Sequence, residues 1–386
     1  MKPIKEMREV VVGGIGLTKW GFYPAQESYD FGSEAIFNVL EDAEMEWKDI
    51  QAAFCGSVYQ GTGSGHQAIK EVGLTGIPVV NVENACSSGS SAFRLAYQAV
   101  ASELYDIVLA LGMEKMPRGP IPSTAFRPWE LASGFNVQMA NYANQSVEYM
   151  NKTGATVEDF SRVTLKNRKN GALNPNARFQ KAVSMEEVMN SRMVATPLRL
   201  LHCCPLADGA GAAILCSKNR LKSKKRAVTV AASVLASGVY GEGIMGAGTM
   251  ASLRFPSATG IVELSAKKAY EIAGYGPEDI DVVQAYETMA PAELWDIEKL
   301  GFCKTGEAPR LLKEGVFDID GSIPVNTDGG LMSRGHPLGA TGIAQICEIV
   351  SQLRGEAGSR QVKGAKIGLT HAMGAGPNSS VTILKC

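Results

Sequence analysis

Apolar residues along this chain fall into two alternating rhythms. Short Val/Ala/Ile runs read as strands, and longer stretches carry apolar positions at helical spacing. Residues 8–17, EVVVGGIGLT, predict a first strand that ends in glycines. SYDFGSEAIFNVLEDAEM predicts a helix that opens at Ser28. IQAAFCGSVYQ reads as a strand, followed by Gly-rich GTGSG, a short helix HQAIKEVGL and the Val-rich strand PVVNVEN. The spacing then predicts a helix from about Ser90 to Ser102 and a strand in YDIVLALGMEKM. From 117 to 200 the alternation stops, and prolines, Trp129, many Asn and Arg and short helical pieces take over. A segment of that length inside an α/β unit is an insertion, and insertions at strand ends usually shape sites. DGAGAAILCSK resumes the strand pattern at Asp208, and LKSKKR, 221–226, reads as a solvated linker.

The second half repeats the order. AVTVAASVLAS, IDVVQAYET and IPVNTDGG read as strands; IVELSAKKAYEIAG, APAELWDIEKLG and GHPLGATGIAQICEIVSQLRG read as helices; GAKIGLTHAMG and SSVTILKC close as strands. Each half is therefore β-α-β-α-β-α-β-β, with the insertion only in the first. The pattern predicts an α/β protein of two pseudo-symmetric halves, 1–222 (including the insertion 117–200) and 223–386, whose similar, mainly parallel sheets pack through central helices.

At the third strand-to-helix junction the first half carries Cys86 and the second His336. A thiol at a helix start faces the unpaired N–H groups of the first turn, whose positive potential should hold its pKa below the free value of about 8.5. Taken singly, Cys86 reads equally as a small buried residue filling a strand–helix corner. His336 alone reads as a residue held by backbone hydrogen bonds. Internal symmetry brings the two junctions toward one place, and there a Cys–His nucleophile pair is the better reading.

Composition narrows the class. With 386 residues, 45% hydrophobic, 20% charged and a net charge of −1, the chain has no global pull toward nucleic acid or anionic membrane. No apolar run approaches the roughly 20 residues needed to span a bilayer, the N-terminus shows no apolar signal region, and a reducing cytoplasm is the expected home. The eight cysteines form neither a disulfide framework nor zinc spacing, and His202-Cys203-Cys204 lacks a second pair, so no metal is expected. GTGSG follows a strand but lacks the spacing of a dinucleotide-binding loop.

VENACSSGSSAF, GGLMSRGHPLGATG, HCCPLADGAGAAILC and HAMGAGPNSSV together resemble the thiolase superfamily, over essentially the whole chain, and its sterol-carrier and archaeal types in particular. The lipid-carrier domain of the former is not expected here. The resemblance implies a five-layer αβαβα fold and CoA-dependent cleavage of a 3-oxoacyl-CoA, or the reverse Claisen condensation, through an acyl-Cys86. CoA would be a co-substrate, with no permanently bound cofactor. His336 would activate Cys86 or polarise the substrate. The N–H groups of Cys86, Gly374 and Gly376 would form the oxyanion hole, and Met289 and Met373 would contact substrate.

Two departures stand out. The family's terminal C-x-G aligns with Ala372-Met373-Gly374, and its H-D-C-F with Tyr286-Glu287-Thr288-Met289, so neither place supplies the second, acid/base cysteine. Tyr286, Glu287 and His371 are the candidates to take over that chemistry. Glu287 reads equally as a buried helix-start cap and His371 as a structural residue. An altered pair implies a substrate other than acetoacetyl-CoA: branched, aromatic or dicarboxylic, benzoylsuccinyl-CoA among them. Arg118, Arg127 and Arg199 would then meet an extra carboxylate or merely lie at the surface. The resemblance further implies a homodimer through the strand Pro78–Asn84 and a small zinc-ribbon/OB-fold partner that binds acyl-CoA. An acetoacetyl-CoA thiolase, a ketoacyl synthase and a catalytically idle acyl-CoA-binding scaffold are the competing readings.

Overall fold

The structure is a computed structural model that describes residues 7–118, 128–132, 134, 137–222, 227–238, 260–375 and 378–386. Its strands are β1 (Val10–Leu17), β2 (Ala52–Gly56), β3 (Val79–Val82), β4 (Ile107–Glu114), β5 (Met193–Ala195), β6 (Leu198–Arg199), β7 (Gly209–Ser217), β8 (Val228–Ser237), β9 (Val282–Gln284), β10 (Ile367–Gly374) and β11 (Asn378–Lys385). The first half carries helices α1 (Ser28–Ala43), α2 (Ser64–Val72) and α3 (Ser88–Ala101). Its insertion adds α4 (Pro128–Ala132), α5 (Gln138–Thr153), α6 (Val157–Gly171) and α7 (Met185–Asn190). The second half has α8 (Ile261–Ala273), α9 (Ala290–Lys299), α10 (Ala308–Lys313), α11 (Gly330–Arg334) and α12 (Thr341–Arg354).

Nine strands lie in the order β3-β2-β4-β7-β1-β8-β11-β10-β9. The two expected sheets are thus joined edge to edge, among the described residues only through the pairs Val11–Thr229 and Val12–Val228. Against the expected parallel predominance, five of the eight neighbouring pairs are antiparallel, because β1, β7, β8 and β11 run against their neighbours at the middle of the sheet. On either side of the seam the arrangement repeats. The parallel neighbours β2–β3 and β2–β4 of the first half face parallel β9–β10 of the second. IPVNTDGG stands where β3 would be, but it is reduced to a single parallel bridge, Val283–Val325. Asn326, at φ 54°, turns the chain out of the sheet immediately afterwards, which ends the pairing.

Alternation along the strands sorts side chains into layers. Val11, Leu109 and Ile214 face α1, where Ile36 and Val39 cover them. Val10, Val12, Val108, Leu215, Val228 and Leu384 face the centre, against Phe93 and Val100 of α3 and Ile343, Ile346 and Val350 of α12. Val283, Leu369, Val381 and Ile383 face outward again, onto Ile261 and Val262 of α8. The result is helix, sheet, two central helices, sheet, helix. A helix enclosed on all sides cannot stay amphipathic. On α12, accordingly, even polar Gln345 is buried, its amide donating to the carbonyl oxygens of His371 (2.8 Å) and Ala285 (3.3 Å).

The central helices begin at Ser88 and Thr341. GHPLGA, expected as the first turns of the second, is instead a loop, because Pro337 and two glycines break the helical run there. Glycines let the two helix starts approach. A Cβ on Gly89 would lie 2.6 Å from the Gly339 carbonyl oxygen, and one on Gly342 would lie 2.6 Å from the Ser90 backbone nitrogen. No described helix is long and apolar enough to cross a membrane.

Candidate active site

Beyond β3 the chain turns sharply into α3, and Cys86 sits on that turn. Ala85 holds a left-handed conformation at φ 48°, which costs an L-residue about 1–2 kcal/mol. Local hydrogen bonds hold it there: Ala85 N–H donates to Glu83 Oε1 at 2.6 Å, Asn84 N–H to Ser88 Oγ at 2.9 Å, and Ser87 N–H to the Asn84 carbonyl at 3.1 Å. The turn leaves the Cys86 side chain half-buried on the wall of a cavity of about 530 Å³.

His336 reaches the same cavity from the second half. Its backbone N–H donates to the Pro205 carbonyl at 3.0 Å, and its Nδ1 lies 2.7 Å from Thr341 Oγ1. Since the Thr341 hydroxyl donates to the Pro337 carbonyl at 2.9 Å, it accepts from the ring, which assigns the proton to Nδ1 and leaves Nε2 a lone pair. Tyr286, which follows β9, presents its hydroxyl to that Nε2 at 3.2 Å and also engages the Cys86 thiol. Sulfur, phenol and imidazole thus form one chain, Cys86–Tyr286–His336.

Both ends of that chain are neutral at rest. Burial pushes the Cys86 thiol up to about 11, opposed by the Tyr286 hydrogen bond, and pushes His336 down to about 3. The sign expected from a helix start is therefore reversed: desolvation of the thiolate outweighs the N-terminal potential of α3. Alkylation of Cys86 by iodoacetamide is expected to accelerate with pH through pH 10 without levelling. A plateau near pH 8, measured by peptide mass mapping, would contradict this.

Of the other residues singled out in the sequence, Met289, Met373 and Gly374 line the cavity. Gly376 and Arg127 lie outside the described residues. Glu287 and His371 do not reach the cavity wall. Glu287 is fully buried, accepts from Met332 N–H at 3.2 Å and lies beside the Lys166–Glu293 ion pair; burial and the nearby Glu293 push its carboxyl well above the usual carboxylate range. His371 is enclosed beside Asp296 at 3.7 Å, and burial pushes it down to about 3. Arg118 pairs with Asp208 at 2.8 Å, and Arg199 donates to the Ser191 carbonyl, so neither faces the cavity. His202 is likewise engaged, through Ser161 and the Arg199 N–H. Among the described residues no cluster of His, Cys, Asp or Glu could hold a metal ion.

Three site residues escape the sequence reading. Arg192 and Cys204, both from the first half, line the cavity. Glu114, at the end of β4, is wholly buried and bridges the two halves. It accepts from Val58 and Tyr59 N–H and from the Gln60 amide in one half, and from Gly339 N–H (2.9 Å) in the other. It thereby holds the loop that carries His336. Burial pushes its carboxyl up to about 7 against these hydrogen bonds. Glu114→Gln puts an amide donor against N–H groups and is expected to cost about 1.5–3 kcal/mol of stability. Urea unfolding would show this as a lowered midpoint; an unchanged midpoint would remove the bridge.

Sequence profiles for a thiolase N-terminal domain and a thiolase C-terminal-like domain match residues 14–219 and 250–385. The chain is 40% identical to an acetyl-CoA acetyltransferase of Methanothermobacter thermautotrophicus, over 95% of this chain and 97% of that one. It is 37% identical to the benzoylsuccinyl-CoA thiolase subunit BbsB of Thauera aromatica, over 97% and 96%. It is also 38% identical to bovine sterol carrier protein 2, covering 72% of that longer protein. Among solved structures, the Ltp2-ChsH2(DUF35) aldolase is similar with a TM-score of 0.85 at 27% identity, covering 98% of each chain. Human mitochondrial 3-ketoacyl-CoA thiolase in complex with CoA shares the fold, with a TM-score of 0.71 at 19% identity over 98% of each chain.

Proposed function

The chain belongs to the thiolase family of acyltransferases, and we propose that it cleaves a bulky, carboxylate-bearing 3-oxoacyl-CoA, or forms it in reverse, through an acyl-enzyme on Cys86. The observation that carries this reading is the run of Cys86, Tyr286 and His336 along one cavity wall. As the sulfur attacks the 3-keto carbon, its proton passes to the Tyr286 oxygen while the Tyr286 proton passes to His336 Nε2. The C2–C3 bond then breaks: its electron pair leaves with the acyl-CoA enolate, and the shortened acyl group stays on sulfur. CoA thiolate removes that group and expels Cys86 thiolate, which recovers its proton by the same path. The Cys86 and Gly374 backbone N–H groups are the proposed oxyanion donors, a contribution of roughly 3–4 kcal/mol for a well-aimed one.

The lining of the wall supports this substrate class. Met139, Leu200, Leu206, Met289, Leu338 and Met373 give it an apolar lining suited to a large acyl group. Arg192 is the one cationic side chain on it among the described residues, and it suits a second carboxylate. The similarity to a benzoylsuccinyl-CoA thiolase subunit supports the same class. Thiolysis assays across acetoacetyl-CoA, a branched, an aromatic and a dicarboxylic 3-oxoacyl-CoA test this reading. The dicarboxylic substrate is expected to turn over best, and Arg192→Ala to raise its KM about tenfold with little change for the others. Acetoacetyl-CoA as the preferred substrate would overturn the pocket argument.

Assembly belongs to the same proposal. Among the described residues strand β3 pairs only with β2 and leaves Val80 exposed at the sheet edge, which supports a homodimer through Pro78–Asn84. The relatives named as a subunit and as a two-component DUF35 complex support a small acyl-CoA-binding partner chain.

A further inference from the structure

Cleavage between C2 and C3 leaves an electron pair on C2, and a proton must reach that carbon before the acyl-CoA product can leave. The Cys86–Tyr286–His336 chain cannot supply it, because its proton is held for the return of Cys86. We propose that Cys204 is a second catalytic thiol, which protonates C2 during cleavage and removes a C2 proton during condensation. The proposal rests on the thiolase reading of Cys86.

Position is the first argument. Cys204 is half-buried on the same cavity wall as Cys86 and packs in one cluster with Cys86, Tyr286, Ala372 and Met373. Two backbone ties fix it. Its N–H donates to the Thr288 carbonyl at 2.9 Å, on the loop that carries Tyr286. The adjoining Pro205 carbonyl accepts from the His336 N–H at 3.0 Å. Cys204 is thus held between the two loops that place the phenol and the imidazole.

Elimination is the second argument. Among the described wall residues, the other thiol, the two phenols and the imidazole are each committed to a partner or held neutral by burial, and the Thr288 hydroxyl is far too weak an acid to protonate carbon. Tyr286 lies between sulfur and imidazole. His336 keeps its proton on Nδ1 against Thr341. Cys203 turns its thiol to the Arg199 carbonyl, 3.5 Å away. Tyr142 stacks on Trp295, and burial pushes its phenol up. Burial likewise keeps Cys204 protonated, the form that an acid needs.

The protons balance over a turnover. Cys204 S–H gives its proton to C2 and becomes a thiolate. That thiolate takes the proton of the incoming CoA–SH, and the CoA thiolate then releases the acyl group from Cys86. No outside acid or oxidant is required.

The test separates the two thiols. Wild type, Cys204→Ala and the near-isosteric Cys204→Ser are incubated with acetyl-, propionyl- and succinyl-CoA. Intact mass reads acyl transfer to Cys86, and deuterium uptake at C2 in D₂O reads the second proton transfer. Both variants are expected to acylate Cys86 at a rate within about tenfold of wild type, yet to lose C2 exchange and C–C cleavage by about 10²–10⁴-fold. Exchange within threefold of wild type in either variant overturns the proposal. So does a parallel loss of acylation and exchange in both, which marks a structural residue. Failure of wild type to acylate Cys86 instead overturns the thiolase reading on which the proposal stands.

Discussion

Cys86→Ala is expected to abolish acyl-enzyme formation and to lower C–C cleavage by on the order of 10⁵-fold or more, the scale seen when a covalent nucleophile is removed. The sulfur is the one atom in the Cys86–Tyr286–His336 chain that can form a thioester. The turn that bears it holds Ala85 in a left-handed conformation that local hydrogen bonds maintain without the thiol. Loss of activity should therefore come with an intact fold. Intact mass spectrometry after incubation with acyl-CoA checks this: wild type gains one acyl group and the variant none. An acyl adduct that survives in Cys86→Ala would place the chemistry on another residue. Cleavage that persists with no adduct would mean a reaction that needs no thiol, such as the aldol cleavage named for the structural relative.

The second large effect concerns the proton path. His336→Ala is expected to slow Cys86 acylation by about 10³-fold and Tyr286→Phe by about 10²-fold, within the range for a positioned acid–base group. The phenol stands between sulfur and Nε2, and burial disfavours both the free thiolate and the imidazolium. Direct ionisation of Cys86 is correspondingly costly, so the concerted path should dominate. Because the two residues act in series, the double variant should be little slower than His336→Ala alone. Fully multiplicative losses in single-turnover acylation would show that they act independently.

The two-half architecture was legible because strand and helix periods are local, and the glycines and serines at residues 87–91 and 335–342 mark the two junctions in the sequence itself. Cys86 and His336 could be paired from their matching places in the element order. Their ionisation could not. The helix-start rule looks only at neighbouring peptide groups, whereas burial by residues far along the chain decides the sign. The same distance hid Glu114, Arg192 and Cys204. Glu114 reads as a strand-end carboxylate until Gly339 is brought against it, and Arg192 lies in the insertion, whose path the local pattern leaves open. Cys204 stands in a triplet, His202-Cys203-Cys204, and in a family-like loop, and neither local pattern says that its side chain meets the Cys86 cavity. Glu287 and His371 align near family motifs, but neighbouring elements enclose both away from the cavity.

The Glu114 bridge also bears on synthesis. Its two sets of partners include Gly339, 225 residues further along the chain, so a ribosome exposes the nucleophile turn long before the loop that completes the centre. Until then the newly made cysteine has neither phenol nor imidazole beside it. The enzyme is born inert and acquires its chemistry only when the last third of the polypeptide docks.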